Sequence, residues 1–105
     1  MINLTEKLKT LKTLHNGNYR IIDHIWFANR NYSVSIQANE YLHCTPRLTL
    51  PLEEYTHFEV MLNIPQKDVP ATWIERYGNR YIYPNVPKDE IEKLLNTLDE
   101  LYRMI

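Results

Sequence analysis

Between Pro87 and Ile105 the apolar residues Ile91, Leu94, Leu95, Leu98, Leu101 and Ile105 recur at steps that place them on one helical stripe. Such a helix draws most of its stability from the surface it covers. The chain supplies that surface at Tyr32 to Ala38. There Tyr32, Val34, Ile36 and Ala38 alternate with Ser33, Ser35 and Gln37, the period of a strand with one buried face. Together they predict an α+β fold. The expected form is a twisted, mostly antiparallel sheet of three to four strands with N- and C-terminal helices. The C-terminal helix packs on one sheet face.

The remaining elements follow from local signals. Asn3, with Glu6 three residues on, predicts a helix start, and Leu4, Leu8, Leu11 and Leu14 continue it to a stop at Asn16-Gly17-Asn18. Residues 19–27 are β-branched and aromatic and predict one strand. Ala28-Asn29-Arg30-Asn31 then turns the chain into the alternating strand, giving an antiparallel hairpin. Asn39 to Leu52 is a long connection, since Pro46 and Pro51 cannot donate to a ladder. A third strand is expected over Tyr55 to Ile64, with Phe58, Val60, Leu62 and Ile64 inward. A short helix carrying Trp73 is expected over Ala71 to Tyr77, and a fourth strand over Arg80 to Tyr83. Pro87 suits the first turn of the last helix, Asp89 and Glu90 suit its dipole, and Arg103 suits its last turn.

A chain of 105 residues fits a single domain, 1–105, with one core. Its 12 basic and 13 acidic residues nearly cancel, so it lacks the basic footprint of a direct nucleic-acid binder and the acidity of a DNA mimic. The single cysteine excludes an internal disulfide and points to a reducing compartment. No signal peptide and no run long enough to span a membrane is legible, so a cytoplasmic protein with no membrane contact is expected.

No catalytic motif stands out. His43 and Cys44 are adjacent, whereas a nucleophile pair needs the imidazole to face the sulfur. Cys44 therefore reads as a packed thiol beside a surface histidine. The histidines and cysteine stand at no metal-ligand spacing, so neither a metal nor another cofactor is expected. With only Gly17 and Gly78, no glycine-rich phosphate loop exists. Gln37, on the polar side of its strand, and Arg47, after Pro46, either form a polar receptor or tie down the long loop. Eight tyrosines and two tryptophans exceed what a small core requires, and such rings suit binding surfaces. The candidate binding residues are Gln37, Tyr41, His43 and Arg47, with Trp26 and Arg30 at the hairpin as a second patch.

Ser35-Ile-Gln-Ala38, Cys44-Thr-Pro-Arg47, Tyr55-Thr-His-Phe-Glu-Val60 and Ile82-Tyr-Pro-Asn-Val-Pro87 occur in that order before the acidic last helix. In these motifs the chain resembles a family of small, mostly uncharacterised proteins of bacterial phages and mobile elements. The resemblance covers roughly residues 17 to 96. The family usually has an aromatic where His43 stands and Gly-Tyr where Pro84-Asn85 stand. The resemblance implies a phage or mobile-element setting, and small motif-free proteins of that setting often bind a host protein. The function expected is a non-enzymatic accessory protein whose partner is a host protein such as a defence nuclease, as in an anti-CRISPR. The alternatives are a protein that binds or hydrolyses a small nucleotide signal, and a structural or regulatory module. A homodimer is among the expected partners.

Overall fold

The computed structural model describes all 105 residues. The elements follow in the order α1 (Leu4–Lys9), β1 (Thr13–Asn16), β2 (Tyr19–Ile22), β3 (Ile25–Phe27), β4 (Tyr32–Gln37), β5 (His57–Asn63), α2 (Ala71–Tyr77), β6 (Ile82–Pro87) and α3 (Lys88–Tyr102). Strands β3-β4-β5-β6 form one antiparallel sheet, and β1-β2 a separate hairpin. The fold is α+β.

The inner sheet face is closed by the helices. Val34, Ile36, Phe58, Val60, Leu62, Tyr83 and Val86 are buried there against Ile91, Leu94, Leu95 and Leu98 of α3. Helix α3 reaches both edge strands, β6 and β3, so it lies across the whole sheet. Leu4 and Leu8 of α1 and Trp73 of α2 complete the same core, with the Trp73 ring edge-on to Tyr83 at 5.5 Å. Each such side chain contributes about 1.5–3 kcal/mol on burial. The N-terminal turn of α1 is capped twice. Asn3 Oδ1 accepts from the Glu6 N–H at 3.0 Å, and Glu92 of α3 accepts from the Leu4 N–H at 2.7 Å.

Several expectations are corrected. Helix α1 ends at Lys9 rather than reaching Leu14. Gly17 and Asn18 form a two-residue hairpin turn, Gly17 with φ +63, and the ladder it closes takes Thr13–Asn16 as a strand. There Leu14 pairs with Ile21 across the hairpin instead of continuing the helical spacing of Leu4, Leu8 and Leu11. The single strand over 19–27 is two strands interrupted at Asp23-His24, where Asp23 Oδ1 accepts from the His24 N–H. The fourth strand runs from Ile82 to Pro87, later than expected, and holds a bulge opposite Phe58–Val60 with Asn85 at φ +48. Leu101 and Ile105 are exposed rather than on the buried stripe. The helix stops at Arg103, φ +61, and the chain doubles back so that Met104 bridges Phe27.

The turn between β3 and β4 is where expected, but Ala28, Asn29 and Arg30 all lie at positive φ (51, 53 and 70). Non-glycine residues adopt this region at a cost of about 1 kcal/mol or more each. The returning tail holds the turn. The Ala28 N–H donates to the carbonyls of Tyr102 and Arg103 at 3.1 and 3.3 Å.

Candidate functional site

The outer sheet face carries no helix. Its rungs are Trp26–Ser33–Asn63, Ser35–Met61–Ile82 and Gln37–Glu59. The β1-β2 hairpin leans against one end of it, attached by side chains rather than by a backbone ladder. Gln37 Oε1 accepts from the Ile22 N–H at 2.9 Å, and Gln37 Nε2 donates to the Ile22 carbonyl at 2.6 Å. Two residues on, Asn39 Nδ2 donates to the Arg20 carbonyl at 2.9 Å. These two amides replace the peptide groups that a paired strand would have presented. Gln37 thus ties β2 to the sheet rather than the long loop, and its amide is engaged with Ile22 and Ser35.

Arg20, not Arg47, is the buried arginine that organises the long connection. Its Nη1 donates to the Leu50 carbonyl at 2.7 Å, and its Nη2 to the Ala38 carbonyl at 2.6 Å and the Tyr55 hydroxyl at 3.2 Å. Its guanidinium also lies 5.6 Å from the Tyr55 ring centre. The Tyr55 hydroxyl in turn accepts from the Leu50 N–H at 2.8 Å. One fork and one phenol therefore satisfy a loop that has no ladder of its own.

Beyond Asn39 the chain returns to the sheet at the β6 bulge. The Asn85 N–H donates to the His43 carbonyl at 3.0 Å, and Thr45 bridges His57 of β5. The Thr45–Pro46 peptide is cis. His43 and Cys44 point apart. The His43 ring is exposed and meets Glu59 Oε2 at 3.3 Å, which also accepts from the His43 N–H at 3.1 Å. Cys44 is buried, and its thiol donates to the Asn39 carbonyl at 3.2 Å. Burial pushes the thiol above its ordinary pKa, and the Glu59 carboxylate adds to the shift. A raised pKa starves a cysteine of the thiolate that nucleophilic chemistry needs.

The hairpin, the sheet and the loop enclose a cleft of about 260 Å³. Ile21, Leu42, Met61 and Ile82 give it an apolar wall, and His24, Ser35, Gln37 and Glu59 a polar one. Tyr19, Ile21, Tyr41 and Ile82 around it are each 42% to 56% exposed. The Tyr19 and Tyr41 rings meet at 5.8 Å. Arg47 is exposed and reaches only the Tyr41 carbonyl, at 3.4 Å. The expected group therefore divides. Gln37 lines the cleft, whereas Tyr41, His43 and Arg47 lie outside its lining, Tyr41 against Tyr19 and His43 against Glu59, which belong to it.

The second expected patch assembles at the far end of the same face. The Trp26 ring is stacked with His24 at 5.4 Å, and the Arg30 guanidinium lies 5.2 Å from its centre. His24 Nδ1 shares a hydrogen bond with Ser33 Oγ at 3.1 Å, whereas His57 Nδ1 is 2.7 Å from Thr56 Oγ1. Those two histidines do not meet. No group of three His, Cys, Asp or Glu side chains is placed to hold a metal ion, and no helix is long and apolar enough to cross a membrane.

Tyr19, Ile21, Leu42, Met61 and Ile82 were missed as surface residues. One signal was available: with Gly17-Asn18 read as a hairpin turn, Leu14, Tyr19 and Ile21 fall on one face of a two-stranded ribbon. Arg20, adjacent to them, carried no signal, because a buried arginine is recognised only by the carbonyls around it. Comparison with family models, with curated proteins and with solved structures returns no match for this chain.

Proposed function

We propose that this protein acts without catalysis, by binding a host protein through the open face of its sheet. The partner is a component of antiviral defence such as an RNA-guided nuclease, the setting that the likeness to phage and mobile-element proteins implies. The observation that carries the binding reading is the half-exposed apolar set Tyr19, Ile21, Tyr41 and Ile82 around one cleft. Clustered apolar and aromatic side chains with polar groups between them are the composition of protein-binding surfaces. The side chains with chemical potential are committed elsewhere: the Cys44 thiol is buried, and His43 is turned to Glu59. A nucleotide-signal ligand fits less well, since Glu59 lines the cleft while Arg47 does not.

The test is co-expression with a panel of bacterial defence systems, scored by phage plating and plasmid transformation. Relief of one defence is expected. Ile21→Lys and Ile82→Lys should each weaken binding of the partner by about 2 kcal/mol, roughly 30-fold, while Leu101→Lys on exposed α3 leaves it intact. No relief of any defence, together with tight binding of a small nucleotide, replaces this reading with the nucleotide one. Turnover of a substrate overturns the non-enzymatic reading.

A further inference from the structure

The strand edges of this protein are treated differently. At the β6 edge, Pro84 and Pro87 remove backbone donors. At the β3 edge, the C-terminal tail covers the strand, with Met104 bridging Phe27 and the Ile105 N–H donating to the Trp26 carbonyl at 3.0 Å. Strand β1 has neither device. Thr13-Leu14-His15-Asn16 contains no proline and no bulge, and its last three residues are exposed. An open edge of this kind is a template for another strand.

The ladder tells which groups are free. The Asp23 N–H donates to the Lys12 carbonyl at 2.9 Å, so Lys12–Asp23 is a hydrogen-bonded pair. Alternation along an antiparallel ribbon then makes Leu14–Ile21 and Asn16–Tyr19 hydrogen-bonded as well. Thr13 and His15 must point their peptide groups away from β2, as Arg20 and Ile22 point theirs away from β1. On the β2 side the Gln37 amide meets the Ile22 N–H and carbonyl, and the Asn39 amide meets the Arg20 carbonyl. On the β1 side no backbone partner answers them.

We propose that β1 is the contact between two copies of this chain, paired antiparallel about a twofold axis at Leu14. In that register Thr13 of each copy exchanges hydrogen bonds with His15 of the other, so both outward residues of both strands are used. Moving the axis to Thr13 would require Leu11, which is outside the strand, and moving it to His15 would require Gly17, which is in the turn. The charge pattern is self-compatible. Lys12 faces Asn16 of the second copy, and no like charges stand opposite each other. Leu14, 63% exposed in the single chain, meets its own counterpart, with Ile21 alongside on the same face. The two open sheet faces then extend from one joined ribbon.

Four residues a side form a contact smaller than the standard interface of about 1,600 Å², so sedimentation should span about 5 to 500 µM protein. The mass is expected to rise with concentration from 12.7 kDa toward twice that value. Leu14→Lys and Leu14→Glu should each stay monomeric, and mixing them should restore a dimer, because position 14 faces itself. Leu14→Cys should cross-link through that position under air oxidation, the native Cys44 being buried. A parent protein that remains monomeric throughout overturns the proposal. So does a dimer that persists in both Leu14→Lys and His15→Pro, the second of which removes an outward N–H.

Discussion

The two faces of the four-stranded sheet are made by the same strands and differ in what lies over them. Inward, Val34, Ile36, Phe58 and Val60 meet α3 and are sealed. Outward, Ser35, Gln37, Glu59 and Met61 meet a hairpin and a loop held largely by side-chain hydrogen bonds. The inner face is held by area, which is non-directional and tolerates no charge. The outer face is held by a few directional bonds, and it leaves a cleft and exposed rings. One strand thus supplies stability on one side and a surface for recognition on the other.

The sharpest break of the inner face is a charge under α3. Leu95→Asp or Leu98→Asp, at fully buried positions, should destabilise by about 3–5 kcal/mol in urea unfolding. Unchanged stability in both variants would refute the packing of α3 on the sheet. The next effect belongs to the outer face. Arg20→Met strips partners from the Leu50 and Ala38 carbonyls and should cost about 3 kcal/mol. Protease cutting within 39–52 should accelerate with it, and equal protection would show that the loop stands without Arg20.

Gln37→Leu should cost less, about 1–2 kcal/mol, because the Ile22 N–H and carbonyl that it releases are only part-buried. Its distinctive sign is faster amide exchange at Ile22 with exchange in β5 unaltered. The smallest effect is at the end of α3, where Tyr102 donates to Asp68. That bond, with burial second, pushes the Tyr102 hydroxyl from 10.0 up to about 12. A raised pKa in the folded state means that the contribution is fully present below about pH 10 and is lost as pH climbs from 10 toward 12. Tyr102→Phe should flatten the fall in stability over that window. A slope identical to the parent's would remove the bond from the account.

Legibility in the sequence followed the same division. The α3 stripe, the Tyr32–Gln37 alternation, the inward Phe58, Val60 and Leu62, and the Trp73 helix were all readable, since each repeats a period that one buried face imposes. Tyr41 and His43, expected in a binding patch of the long loop, lie beside Tyr19 and Glu59, which line the cleft. Arg20 carries no sequence signal that separates it from Arg47, because both are arginines and only their surroundings distinguish them.

Alone, the sequence determined the α+β class, the long helix and the strand that pairs with it, because hydrophobic period is a local property of the chain. Tertiary structure decided that Leu14 leaves a helix for a hairpin, that the chain breaks at Asp23-His24, and that Leu101 and Ile105 face outward. It also decided that Gln37 and Asn39 complete a ladder with their side chains. The physical reason is that ties such as Gln37 to Ile22 and Asn39 to Arg20 depend on which peptide groups the fold leaves without partners, which hydrophobic period does not record.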